Sequence, residues 1–264
     1  MIKVVVNGVG GKMGKIMLEN LAIEKDIKIV GAVDINNIGK SLYDFIPLET
    51  LANVFIQNDL SLALDQHKPD VMLDFTTPRV VYNNTMICLQ KRVRPVVGTT
   101  GLTSEQFADI GHLALENNIG ALIAPNFAIG AILLMRFAAQ AAKYFPAVEI
   151  IELHHDQKID APSGTALKTI EAMQPYPLSR TSLVKEIEIV SGSRGGLKDG
   201  VRVHSVRLPG FVAHEEVIFG ALGQSLTIRH DSISRESFYP GVILAIRNVM
   251  SYIGLKVGID SFLE

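Results

Sequence analysis

Residues 152–166, ELHHDQKIDAPSGTA, gather two histidines, a lysine, three acidic residues and a Pro-Ser-Gly-Thr turn between two apolar segments. Histidine titrates near neutral pH, so His154 or His155 can give a proton to a carbanion or imine centre as hydride arrives. If VEIIELHH is a strand, these two side chains point to opposite faces and have different jobs. Lys158 supplies a mobile positive charge that can pair with an anion or donate a proton. Pro162 stops the extended run, Ser163 can cap, and GTALKTIEAM reads as a helix whose free N–H groups at Gly164 and Thr165 attract an anion such as a carboxylate. Taken singly, each has a plainer reading: a satisfied structural histidine, a solvated lysine, an ordinary helix start. Jointly they favour a site for a small carboxylate.

A second cluster supplies the complementary chemistry. VVVNGVGGKMGKIMLENL sets Gly8, Gly10, Gly11 and Gly14 after a strand and into the first turn of a helix, with Met13 where the strict dinucleotide fingerprint has its third glycine. A pyrophosphate reaches a helix N-terminus only where side chains do not block the backbone N–H groups. Asp34 ends the second expected strand, where a carboxylate can accept hydrogen bonds from the adenosine ribose. It leans towards NADH by repelling a 2'-phosphate, although Lys40 and the Asn36-Asn37 pair keep NADPH open. Three more turns, DFTTP (74–78), VVGTTG (96–101) and APNFAIG (124–130), follow expected strands and should line one crevice at the carboxyl ends of the sheet.

The elements that must position these residues follow from hydrophobic period. Six short β-branched runs, beginning at KVVVNG and ending at GALIAPN, alternate with amphipathic segments, which argues for an N-terminal Rossmann-like, doubly wound parallel sheet. After residue 126 the rhythm changes. IGAILLMRFAAQAAKYF reads as one helix and VEIIELHH as a strand, and EIEIVSG, GVRVHSVRLPG, HEEVIFGALG and QSLTIRHDS read as antiparallel or mixed strands. The class is thus α/β, with a second α+β mixed-sheet domain for substrate and oligomerisation. The expected boundaries are 1–126 plus 241–264 for the dinucleotide domain and 127–240 for the second, the closing helix PGVILAIRNVMSYI packing back on the first. The stretch 174–195 is the least regular and reads as a loop.

Composition removes other classes. With 25 Lys and Arg against 27 Asp and Glu, the net charge of −2 offers no field for nucleic acid. No apolar run reaches membrane-spanning length and none resembles a secretory leader, so a soluble cytoplasmic protein is expected. The one cysteine, Cys88, sits in the apolar run MICLQ and reads as a buried, inert thiol. His154, His155 and Asp160 are zinc-compatible types, but adjacent strand histidines diverge and no cysteine cluster or HExxH helix accompanies them, so no metal is expected.

GVGGKMG, VVGTTG, APNFAIGA, HHDQKIDAPSGTA and RHDSISRESF together resemble the dihydrodipicolinate (4-hydroxy-tetrahydrodipicolinate) reductase family over nearly the whole chain. The resemblance implies a homotetrameric cytoplasmic enzyme of the diaminopimelate route to lysine, reducing a small cyclic dicarboxylate with NADH or NADPH. It implies dinucleotide contacts from Gly8, Val9, Gly10, Gly11, Lys12, Met13, Asp34, Gly98, Thr99, Thr100, Ala124, Pro125, Asn126 and Phe127. It makes His154 a proton donor or acceptor and Lys158 a proton donor, and assigns the substrate carboxylates to His155, Gly164 and Thr165. Ile35 follows Asp34 where many relatives carry a basic residue, which weighs against strong NADPH binding. Another amino-acid-pathway dehydrogenase would share the first domain without the HHxxK and PSGT pairing. A non-catalytic NADH sensor would keep the fingerprint and tolerate loss of His154 and Lys158.

Overall fold

Val4, Val5 and Val6 are all fully buried, which a strand achieves only when both faces of its sheet are covered. The computed structural model that shows this describes residues 1–176, 178 and 187–263. The chain begins β1 (Ile2–Asn7), α1 (Lys12–Leu21), β2 (Ile27–Val33), β3 (Ile56–Gln57), α2 (Leu60–His67), β4 (Val71–Asp74), α3 (Val81–Gln90), β5 (Arg94–Val97), α4 (Ser104–Glu116) and β6 (Gly120–Ile123). It continues through α5 (Ile129–Ala141), β7 (Ala147–His154), α6 (Gly164–Met173), β8 (Gly196–Lys198), β9 (Val201–Arg207), β10 (Ala213–Ala221) and β11 (Gln224–Ser232). It closes with α7 (Tyr239–Asn248) and β12 (Gly254–Val257). Two compact units result, Met1–Phe127 with Phe238–Glu264, and Ala128–Ser237.

The first unit is a seven-stranded parallel sheet in the order β12-β6-β5-β4-β1-β2-β3. Val5 packs with Leu60, Leu64 and Cys88 of α2 and α3, so by strand alternation Val4 and Val6 face the other side. Cys88 is buried, and burial pushes its thiol well up from the ordinary range, as the apolar run MICLQ suggests. Helix α4 starts at a capping box: Thr103 Oγ1 accepts from Gln106 N–H at 3.3 Å and Gln106 Oε1 from Thr103 N–H at 3.0 Å, a device worth about 1 kcal/mol. Helix α7 is tied to the α1–β2 turn by Arg247, whose guanidinium reaches Glu24 at 2.8 Å and Asp26 at 2.7 Å, and by a Tyr239–Glu24 bond. Strand β12 follows as a seventh strand beside β6, beyond the six read from sequence.

The second unit is a mixed sheet in the order β11-β10-β7-β9-β8. One face is apolar: Val148, Ile150, Val203, Val217 and Phe219 meet Leu134 and Ala138 of α5 and Ala166, Ile170 and Met173 of α6. Fully burying Ile170 and Met173 stabilises the docking of α6 by roughly 2 kcal/mol each. EIEIVSG is not a strand over its described residues. Ile187, Ile189 and Val190 are 85%, 95% and 70% exposed, and Gly192 turns the chain at φ +83° while its N–H binds the Glu188 carboxylate. A β-branched run without a partner strand gains nothing from extension. Part of the 174–195 stretch lies outside the described residues. No described helix is long and apolar enough to cross a membrane.

Candidate active site

The glycine turn leaves β1 where the strand order reverses between β1 and β4, which is where open α/β sheets bind ligands. Each glycine answers a contact. Gly8 has φ +89°, and a Cβ there would lie 2.5 Å from the Phe75 carbonyl oxygen. A Cβ on Gly14 would lie 2.1 Å from the Gly8 carbonyl oxygen, so Gly14 lets α1 close against the turn. The effective spacing is therefore Gly8-x-x-Gly11-x-x-Gly14, and Met13 stands half-buried beside the third glycine. Gly11 is the N-cap of α1, with no side-chain cap and no acidic residue in the first turn, so the N–H groups there are open to a phosphate. Asp34 accepts from Gly10 N–H at 2.8 Å and Asn36 N–H at 2.9 Å, which fixes its carboxylate beside the turn. A cleft of about 530 Å³ is lined by Gly8, Gly11, Asp34, Phe75, Thr76 and others; Gly98–Thr100 and Ala124–Phe127 are not among its walls.

Those two turns are joined to the first by Phe75. A Cβ on Gly98 would strike the Phe75 ring at 2.2 Å, and the ring packs edge-on against Phe127 at 6.1 Å. Val9, Thr99, Ala124 and Phe127 are buried, whereas Lys12, Thr100 and Pro125 are exposed and Asn126 is half-buried. Beneath the turns sits a polar knot that the motif reading passes over. Asp74 is fully buried and accepts from Asn7, Asn84, Thr99, and both the N–H and hydroxyl of Thr76, at 2.7–3.1 Å. It locks the ends of β1, β4 and β5 to one another.

In the second unit β7 ends at His154, and His155 is the first residue beyond it. Glu152, two residues earlier on the same face, is fully buried and meets His154 Nδ1 through Oε2 in a short hydrogen bond. Arg207 forks onto the same carboxylate at 3.0 and 2.7 Å. Burial alone would push the Glu152 carboxyl up, but hydrogen bonds from His154, Arg207 and Ser205 outweigh it and hold it at about 2. Arg207 also donates to the Asp160 carbonyl at 2.7 Å, and the Asp160 carboxylate holds Lys158 Nζ at 2.7 and 2.9 Å. Ser163 Oγ accepts from Ala166 N–H at 3.1 Å, leaving the N–H groups of Gly164 and Thr165 without a protein acceptor among the described residues. A Cβ on Gly164 would meet nothing within 4 Å, so space for an anion lies in front of it.

A third buried group, Glu215 on β10, lies directly across the sheet from Glu152. Burial pushes its carboxyl up to about 7, against the Thr169 hydrogen bond and with the help of the Glu152 charge. Thr169 Oγ1 is 2.5 Å from Glu215 Oε1 and 3.1 Å from the Thr165 carbonyl oxygen. One hydroxyl proton cannot serve both, so a protonated Glu215 that donates to Thr169 satisfies the set. His154, Lys158, Gly164 and Thr165 thus share one segment. Its support from Glu152, Arg207 and Glu215 was not read from sequence. Glu152 alone was accessible there, since a residue two before a strand histidine shares its face.

A parallel sheet with this turn at its switch point defines a dinucleotide-binding protein of the Rossmann class. The family described as "Dihydrodipicolinate reductase, N-terminus" matches residues 2–127, and "Dihydrodipicolinate reductase, C-terminus" matches 130–261. The chain belongs to the dihydrodipicolinate reductase family. It is 50% identical over 268 residues to a 4-hydroxy-tetrahydrodipicolinate reductase of Desulfitobacterium hafniense (100% of this chain, 99% of the relative). It is 48% identical over 264 residues to one of Listeria innocua, covering 100% of both. The dipicolinate-bound dihydrodipicolinate reductase of Paenisporosarcina sp. TG-14 matches with a TM-score of 0.89 at 45% identity over 99% of each chain.

Proposed function

We propose that this chain reduces 4-hydroxy-tetrahydrodipicolinate to tetrahydrodipicolinate with loss of water, in the diaminopimelate route to lysine. The observation that carries the reading is the ELHHDQKIDAPSGTA segment: a buried carboxylate holds His154, Asp160 holds Lys158, and α6 offers open N–H groups, in a chain whose first unit carries the glycine turn. Full-length relatives near 50% identity that bear this name support it.

The residues that would hold the dinucleotide are the Gly8–Met13 turn for the pyrophosphate and Asp34 for the ribose, with the Gly98–Thr100 and Ala124–Phe127 turns for the nicotinamide end. The fit is physical, because a Cβ at Gly8 or Gly14 would fill the cradle. When bound, the reduced nicotinamide would supply the hydride for C4 of the ring, once the C4 hydroxyl has left as water to give the conjugated imine. Gly164 and Thr165 N–H groups, with His155, hold the carboxylates and orient the ring. The carbon beside C4 needs a proton, which His154 and Lys158 carry; general acid help of this kind is worth about a hundred- to ten-thousandfold. The dipicolinate held by the Paenisporosarcina protein supports a dicarboxylate ligand.

Asp34, followed by the 84% exposed Ile35, favours NADH over NADPH. A homotetramer fits the second sheet, whose face opposite the helices carries Ile151 and Ile218; light scattering at micromolar concentration tests it. The cytosol suits a diffusible substrate and dinucleotide. The test of function couples the purified chain to dihydrodipicolinate synthase with pyruvate and aspartate semialdehyde, following NADH and NADPH in parallel. Synthase-dependent oxidation, faster with NADH, is expected; none with either cofactor sinks the proposal.

A further inference from the structure

One of the two proposed proton carriers, His154, rests on a buried ion pair. Arg207 grips Glu152 with two nitrogens, and the same two nitrogens also hold the Val206 carbonyl at 2.8 Å and the Asp160 carbonyl at 2.7 Å. The Glu152 carboxylate has no exposed surface and faces the His154 ring, which is 14% exposed. Glu215, opposite it in register, hydrogen-bonds Thr169 rather than the histidine.

We infer that Glu152 is a positioning residue, which, clamped by Arg207, fixes His154 as its Nδ1–H tautomer and leaves Nε2 to carry the exchanging proton. This rests on the reading of His154 as a proton carrier. An ionised carboxylate can only accept, so the atom facing it must bear hydrogen. The other tautomer would set a nitrogen lone pair against a buried negative charge and take one donor from Oε2 of Glu152, leaving it the Arg207 guanidinium. The ring therefore needs no rotation between turnovers: neutral, it accepts at Nε2; protonated, it donates from there. The assignment of Lys158 is separate, since Asp160 holds it and Arg207 touches only the Asp160 backbone.

The experiment reads the tautomer directly. Protein labelled with ¹⁵N-histidine, with His154→Asn to assign the ring, is expected to show a protonated Nδ1 and a bare Nε2 when neutral. Glu152→Gln is expected to lose that preference and to lower kcat by about ten- to a hundredfold, the scale of a misplaced general acid, with NADH Kd within about twofold. An Nε2–H tautomer in the wild type, or wild-type kcat in Glu152→Gln, overturns the inference. The wild-type spectrum decides the matter even if the variant does not fold. Wild-type turnover in His154→Ala would instead remove His154 from the chemistry, whatever its tautomer.

Discussion

Replacing Glu215 by glutamine removes a buried proton, and its effect on stability has a definite sign. The carboxyl is raised by burial, then opposed by Thr169 and helped by Glu152, from 4.5 to about 7 in the folded protein. Below about pH 4.5 both folded and unfolded chains hold the proton and no penalty arises. Between 4.5 and about 7 the unfolded chain has released it and the folded one has not, so stability falls as pH rises, then levels off. The size follows from the shift: about 3 kcal/mol lost across that window, undiminished by solvent because the side chain is almost wholly buried. Glu152 works oppositely: held at about 2, it adds stability as pH rises from 2 towards 4.5. Urea denaturation of wild type and Glu215→Gln at about pH 5 and about pH 8 isolates Glu215, because every other group titrates alike in both. The wild type should lose about 2.5 kcal/mol more than the variant between the two conditions, a little less than the full window because about pH 5 lies just inside it. Equal losses would refute a protonated Glu215, whatever the absolute stability of the variant.

Gly14→Ala sets a methyl 2.1 Å from the Gly8 carbonyl, so α1 must shift; a loss of about 1–3 kcal/mol and weakened NADH binding by calorimetry are expected, and unchanged binding contradicts the cradle. Asp74→Asn turns an amide towards groups that all donate. A cost of about 3 kcal/mol by denaturation is expected, and a neutral effect means the knot is not structural. Asp34→Ala removes the proposed ribose acceptor and should raise the NADH Kd about tenfold; an unchanged value shows that the ribose lies elsewhere.

Local signals were legible where they sufficed. Ser163 before GTALKTIEAM announced a helix, and the helix runs Gly164–Met173 with Ser163 as its cap. The glycine turn is visible with Gly14 among its members, but that Gly14 rather than position 13 closes the fingerprint shows only in the contact between Gly14 and the Gly8 carbonyl. Strand β12 hid behind an apolar helix because four residues carry no usable period, and its partner β6 lies far back in the chain. EIEIVSG points the other way, its alternation meeting no partner strand over its described residues. Arg207 reaches Glu152 across 55 positions, and no local pattern announces such a pair. Asp74 was hidden in plain view inside DFTTP, since what marks it is five donors from four segments rather than its neighbours.

The central claim is that His154, held by Glu152, moves the proton that completes the reduction. Turnover of His154→Ala in the synthase-coupled assay, with NADH affinity measured on the same preparation, tests it most directly. The account predicts a kcat lower by about a hundredfold or more with NADH Kd unchanged. Wild-type kcat in that variant would contradict it.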